Sequence, residues 1–140
     1  MATLLNPYLT FAGNAREAME AYAEMFGSSL EVMTFGQAGA SGGEGGPDPE
    51  HLMHAHTATP AGTLMASDLP PGAELDRGNG VALSLSGDDD ATLRRWFAAL
   101  SEGGTVTTPL EKQMWGDEYG ALTDRFGVPW MANISVPQEG

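Results

Sequence analysis

The chain has 140 residues, enough for a domain that buries about two thirds of its unfolded surface without covalent staples. Its formal charge of −13, from 19 acidic against 6 basic residues, sets up a field that repels polyanions and argues against nucleic acid as a partner. The absence of cysteine excludes disulfide, thiolate and Cys-metal chemistry, and no apolar run approaches the roughly 18 residues of a membrane helix. Met1 to Pro7 lacks the basic head and apolar core of a signal peptide, so a cytoplasmic protein with no membrane association is expected.

Residues 5 to 11, with aromatic and apolar content suited to a strand, open the order. Gly13-Asn14 breaks the strand, and Asn14 is the expected N-cap of a helix to Met25 or Phe26, with Ala15, Ala18, Met19, Tyr22 and Phe26 on one face and Gly27 as its stop. Ser29 to Phe35 reads as a second strand. Residues 36–50, rich in glycine and carrying Pro47 and Pro49, have few apolar anchors and read as a mobile loop, with a lid over a pocket as the functional alternative. His51 to Ala58 and Thr63 to Asp68 form a hairpin around Pro60-Ala61-Gly62.

Leu69 to Gly80, rich in Pro and Gly, is a linker. Val81 to Ser86 follows as a strand, and Asp88-Asp-Asp leads into a helix from about Ala91 to Ser101, its acids at the positive end of the helix dipole. After Gly103-Gly104 come Thr105 to Thr108, a segment near Glu111 to Trp115, and a closing hairpin. That hairpin turns at Asp124 to Gly127 and returns through Trp130.

The order contains a repeat. A shift of 74 lays Leu9 on Leu83, Gly13-Asn14 on Gly87-Asp88, Tyr22 on Trp96 and Phe26 on Leu100, while a shift of 66 lays Met65 on Met131. Each half is then a β-α-β-β-β unit, module one about 1–70 and module two about 80–137, within a single domain over 1–140. Such units have one helix-covered and one open sheet face. The fold class is α+β, two tandem βαβββ modules forming a curved mixed sheet around a cleft.

Pro7-Tyr8-Leu9, Gly13-Asn14-Ala15-Arg16-Glu17-Ala18 with Tyr22, the segment His54 to Asp68, and Trp115-Gly-Asp-Glu-Tyr-Gly with Asp124-Arg-Phe-Gly-Val-Pro-Trp130 span nearly the whole chain. Together they resemble the glyoxalase, bleomycin-resistance and extradiol-dioxygenase (vicinal oxygen chelate) superfamily. More narrowly, they resemble its PhnB-like branch, often labelled 3-demethylubiquinone-9 3-methyltransferase-like. The resemblance implies a homodimer with a small-molecule cavity against the concave sheet.

It also implies metal ligands on the first and last strand of each module, which by spacing are Pro7, Met65, Val81 and Met131. None is a carboxylate or imidazole, so no metal or other cofactor is expected, and these positions read as an apolar cavity floor. The alternative is a divalent metal held by His54 and His56, two residues apart on one strand face, with Asp68, Asp117 or Glu118 converging on them. Asp124 opens its turn and reads as structural. Asp117, between Trp115 and Tyr119, is the candidate catalytic acid or base.

His54, His56, Met65, Asp68, Trp115, Tyr119, Trp130 and Met131 are the candidate ligand-binding residues. No Gly-rich turn with an acidic residue about 20 positions on, the pattern that cradles a nucleotide-like cofactor, follows a strand. The expectation is therefore metal-free binding of a small hydrophobic or aromatic molecule. The alternative is a metal-dependent lyase, isomerase or dioxygenase; methyl transfer is not expected.

Overall fold

A computed structural model describes residues 5–39, 46, 48–70, 72–78 and 80–135. The chain divides into two compact units, Met1–Asp76 and Arg77–Gly140, at the Pro- and Gly-rich linker. The first holds β1 (Tyr8–Phe11), α1 (Ala15–Phe26), β2 (Leu30–Thr34), β3 (Leu52–Thr59) and β4 (Gly62–Asp68). The second holds β5 (Leu83–Gly87), α2 (Asp90–Ser101), β6 (Thr105–Lys112), β7 (Glu118–Thr123) and β8 (Pro129–Ile134). Each unit has its own mixed four-stranded sheet, ordered β1-β4-β3-β2 and β5-β8-β7-β6. In both, the first strand runs parallel to the last and the other pairings are antiparallel. This is the expected βαβββ plan, twice.

Strand alternation decides which side chains are covered. Leu9, Phe11, Leu64, Ala66, Ala55 and Thr57 are buried on the helix side of the first sheet, with Ala18, Met19, Tyr22 and Phe26 of α1. Burying each large apolar side chain contributes roughly 1.5–3 kcal/mol. In β3 the alternation changes phase between Leu52 and Ala55, next to where pairing with β2 slips at Met33/Thr34. The second sheet covers Leu85, Leu122, Trp130, Ala132 and Ile134 with Leu93, Trp96, Phe97 and Leu100 of α2. Gly27 closes α1 in the left-handed conformation, φ 70°, as a C-cap glycine can.

The two helix starts are satisfied differently. Asn14 makes no side-chain cap, because its backbone (φ −114°, ψ 23°) is outside the extended region that an N-cap side chain needs. A carboxylate from across the sheet takes that place. Asp68 is 4% exposed; its Oδ1 accepts from the backbone N–H of Gly13 (2.9 Å) and Ala15 (3.0 Å), and its Oδ2 from that of Leu52 (2.8 Å). In α2 the cap is local: Asp89 Oδ1 accepts from Thr92 N–H (3.1 Å) and its Oδ2 from the Thr92 hydroxyl (2.9 Å).

Asp124 organises the closing turn as expected. Its Oδ1 accepts from the N–H groups of Phe126 (2.8 Å) and Val128 (3.0 Å), and its Oδ2 from Trp130 Nε1 (2.8 Å). The first strand of this hairpin starts at Glu118, not Trp115, since Gln113 to Asp117 form a turn closed by the Gln113 N–H to Asp117 carbonyl bond. β6 runs unbroken through Pro109, with register slips between Val106 and Thr108 and between Thr108 and Glu111 that absorb the proline's missing donor. Of residues 36–50, considered as a loop or lid, 40–45 and 47 lie outside the described residues.

Pairing also refines the repeat. Tyr8 pairs with Met65 and Ser84 with Met131, so the first strands repeat at a spacing of 76 (8 to 84), not 74. The helices keep 74, as Tyr22 and Trp96 show (22 to 96), and the turn between Phe11 and α1 absorbs the difference.

Replacing Asp68 with Ala leaves three backbone donors without their acceptor and should cost roughly 2–4 kcal/mol. Urea unfolding checks this as a lower midpoint. The Thr92 hydrogen bonds, backbone first, hold the Asp89 carboxyl below its ordinary 3.8. Its stabilising contribution is therefore complete above that value and lost as pH falls through the lower folded one. The melting-temperature gap between the natural protein and Asp89→Ala should be open at neutral pH and close in acid.

Candidate functional site

The faces not covered by helices carry the chemistry. On the first sheet, pairing aligns Tyr8, Met65, His56 and Glu31 in one row across β1, β4, β3 and β2. Beside this row, Met33 pairs with His54, and Thr10 with Ser67. The rings of Tyr8 and His54 have centroids 6.0 Å apart, and those of His54 and His56 are 5.5 Å apart. His56 Nε2 stands 3.0 Å from Glu31 Oε2. The result is a patch of three rings and two thioethers with the Glu31–His56 contact at its β2 side.

On the second sheet, Ser84, Met131, Ala121 and Thr108 form the corresponding row, and Ser86, Asn133, Tyr119 and Glu111 the next. Asp117, half-buried, accepts at Oδ2 from Asn133 Nδ2 (3.1 Å), which ties its carboxylate to the second row. Trp115 is 60% exposed in the turn before β7. A cavity of about 500 Å³ lies in this unit against Val81, Ala82, Thr123, Pro129 and Met131. Another, of about 340 Å³, lies in the first unit against Gly13, Asp48, His51, Leu69 and Pro70, away from the histidine pair.

The structure thus brings His54, His56 and Met65 together on one open face, and Tyr119, Met131 and Asp117 on or beside the other. Asp68 and Trp130, expected at the ligand, lie instead on the helix sides of their sheets. Alternation sends both inward: Asp68 shares the parity of Leu64 and Ala66, and Trp130 that of Ala132 and Ile134. There they hold the helix start and the closing turn. Sequence reading missed Tyr8 and Glu31. Pro7 and Val81 stand one and three residues before Tyr8 and Ser84, the residues that pair with Met65 and Met131. Glu31 is found by reading β2 as a period-two strand with Glu31 and Met33 outward.

The sequence profile of the 3-demethylubiquinone-9 3-methyltransferase family matches residues 3–132. Protein YjdN of Escherichia coli K12 is 30% identical, over 96% of this chain and 97% of its own. The chain belongs to this PhnB-like family. Protein PA1353 of Pseudomonas aeruginosa, a solved structure, is 39% identical with a TM-score of 0.81 over 96% of this chain and 98% of that one. The PhnB protein of Bacillus cereus, described as a putative 3-demethylubiquinone-9 3-methyltransferase, has the same fold at 21% identity, with a TM-score of 0.78 over 95% of this chain and all of its own. The fold is that of the glyoxalase, bleomycin-resistance and dioxygenase superfamily.

In this PhnB-like chain the first- and last-strand positions on the open faces are Tyr8 with Met65 and Ser84 with Met131. Two neutral hydroxyls and two thioethers are a poor donor set for a hard divalent cation. Pro7 and Val81 precede their strands, and Val81 is 76% exposed. Among the described residues no three His, Asp or Glu side chains group so as to hold a metal ion. Each helix N-terminus already holds one of the chain's own carboxylates, α1 Asp68 at Ala15 N–H and α2 Asp89 at Thr92 N–H. No helix among the described residues is long and apolar enough to cross a membrane.

Trp96 and Trp130 are 7% and 3% exposed against 60% for Trp115. Acrylamide should therefore quench mainly Trp115. The emission of Trp115→Phe is expected to be blue-shifted and several-fold less quenchable.

Proposed function

We propose that this PhnB-like protein binds a small hydrophobic or aromatic molecule against the open face of its first sheet, without a metal ion, as a homodimer. The observation that carries the reading is the patch of Tyr8, His54, His56, Met65 and Met33. Rings within 6.0 Å of one another and unbranched thioethers present a flat, polarisable surface to a planar ligand. The neutral donors at the metal positions of the fold support metal-free binding, and the carboxylates at both helix starts weigh against the nucleotide-like cofactor that a methyl transfer calls for. Asp117, steered by Asn133, stands as the acid or base of any chemistry at the second sheet. The homodimer rests on the fold and on the uncovered sheet faces.

The test is a thermal-shift panel of planar aromatic compounds on chelator-free protein, with elemental analysis alongside. A ligand at about 100 times its Kd stabilises the folded state by about 2.7 kcal/mol. Met65→Glu, which puts a charge in the middle of the patch, should abolish the shift. Stoichiometric divalent metal that disappears in the His54→Ala, His56→Ala double variant would replace this reading with the metal-dependent one. A panel without any shift would refute binding. Light scattering that reports only monomer at micromolar concentration would refute the dimer.

A further inference from the structure

The Glu31–His56 pair lies inside the proposed binding patch, so what it does to the imidazole bears on which ligands fit. Glu31 is 76% exposed and His56 38%, and a polar contact that open to solvent contributes little to stability. Its geometry matters more. A neutral imidazole has one nitrogen that donates and one that accepts. Glu31 Oε2 lies 3.0 Å from Nε2, and negative charge that near favours the neutral tautomer that carries its proton on Nε2. Nδ1 then keeps the lone pair. Met65, its β4 partner, and His54, its strand neighbour with Tyr8 beyond, adjoin this ring among the described residues, and neither is a carboxylate.

We infer that Glu31 is a positioning residue that fixes His56 as a hydrogen-bond acceptor on the binding face, and that the ligand class is hydroxylated aromatics. The inference rests on the binding reading above. Met65 is the floor between Tyr8 and His56, the Tyr8 and His54 rings flank it, and the hydroxyl of a planar ligand donates to His56 Nδ1. A site with a committed acceptor discriminates by what it leaves unpaired: an ether of the same shape covers Nδ1 without donating to it. No covalent step is involved.

The experiment uses 2-naphthol and its ether 2-methoxynaphthalene, titrated into the full chain at about pH 8, above the ordinary imidazole range. The naphthol is expected to bind about fivefold to tenfold more tightly, the worth of one net hydrogen bond. His56→Phe, which keeps a flat ring, should bring the two affinities together. Nitrogen-15 NMR of the His56 ring should show the proton on Nε2, and Glu31→Gln, a change at an exposed position, should raise the Nδ1–H tautomer and narrow the preference. A merely structural Glu31 would move neither readout. Equal binding of the two compounds by the natural protein, or an Nδ1–H ring there, overturns this inference and leaves the binding reading standing. Failure of both compounds to bind overturns the binding reading and this inference with it. If His56→Phe does not fold, the tautomer and preference of Glu31→Gln decide the question alone.

Discussion

One buried carboxylate fixes the geometry of the first unit. Asp68 ends β4, yet its two oxygens reach the β1–α1 junction at Gly13 and Ala15 and the start of β3 at Leu52. Three separate stretches of backbone are thereby tied at one point, and the orphan donors at the start of α1 are satisfied without a local cap. A buried carboxyl group in such a position is tolerated because both of its oxygens accept from backbone N–H groups. With the helix start pinned to the end of β4, the parity of β1 and β4 is set, and so is the identity of the residues that face away from the helix. The patch of Tyr8, Met65, His54 and His56 follows from that parity.

The second unit meets the same need differently. Ile134 pairs with Gly87 where Asp68 pairs with Phe11, so the residue at the end of the last strand is apolar and cannot reach a helix start. Asp89, one residue before α2, does the capping instead. The carboxylate that organises this unit is Asp124, in the closing turn, where it binds two backbone donors and the Trp130 indole. One unit is fastened at its helix start, the other at its last hairpin. The closing hairpin's turn, dense with acids and aromatics, is therefore mostly scaffold, while Tyr119 lies on the open side with Met131 and Asn133, and Asn133 holds Asp117 beside them.

Much of this was legible in the sequence. The elements, the duplication and the family could be read, because helical spacing from Ala15 to Phe26 and turn residues at Gly13, Gly27, Gly62 and Gly127 are local signals. What was not legible depended on pairing. Whether Pro7 or Tyr8 stands beside Met65 is a one-residue question of register, and register in a parallel pair is set by contacts between β1 and β4, distant in sequence. The same holds for Glu31, which acquires meaning only opposite His56. Asp68 lies on the helix side, not the open side, and an acidic residue at a strand end gives no sign of which face it takes until the strand's parity is known.

The two rows built around the duplicated methionines differ in what flanks them. Met65 stands between Tyr8 and His56, with Glu31 beyond; Met131 stands between Ser84 and Ala121, with Thr108 beyond. The thioether is common to both rows and adapts to many shapes, so it contributes area without discrimination. Around Met65 the neighbours are rings and a charge, which fill space and impose direction. Around Met131 they are small, and they leave room: the cavity of about 500 Å³ opens against Met131, Pro129 and Thr123. The floor is the same twice, flanked once by polar rings and a carboxylate and once by small side chains beside a cavity, so the duplication repeats the backbone and the thioether but not the chemistry around them.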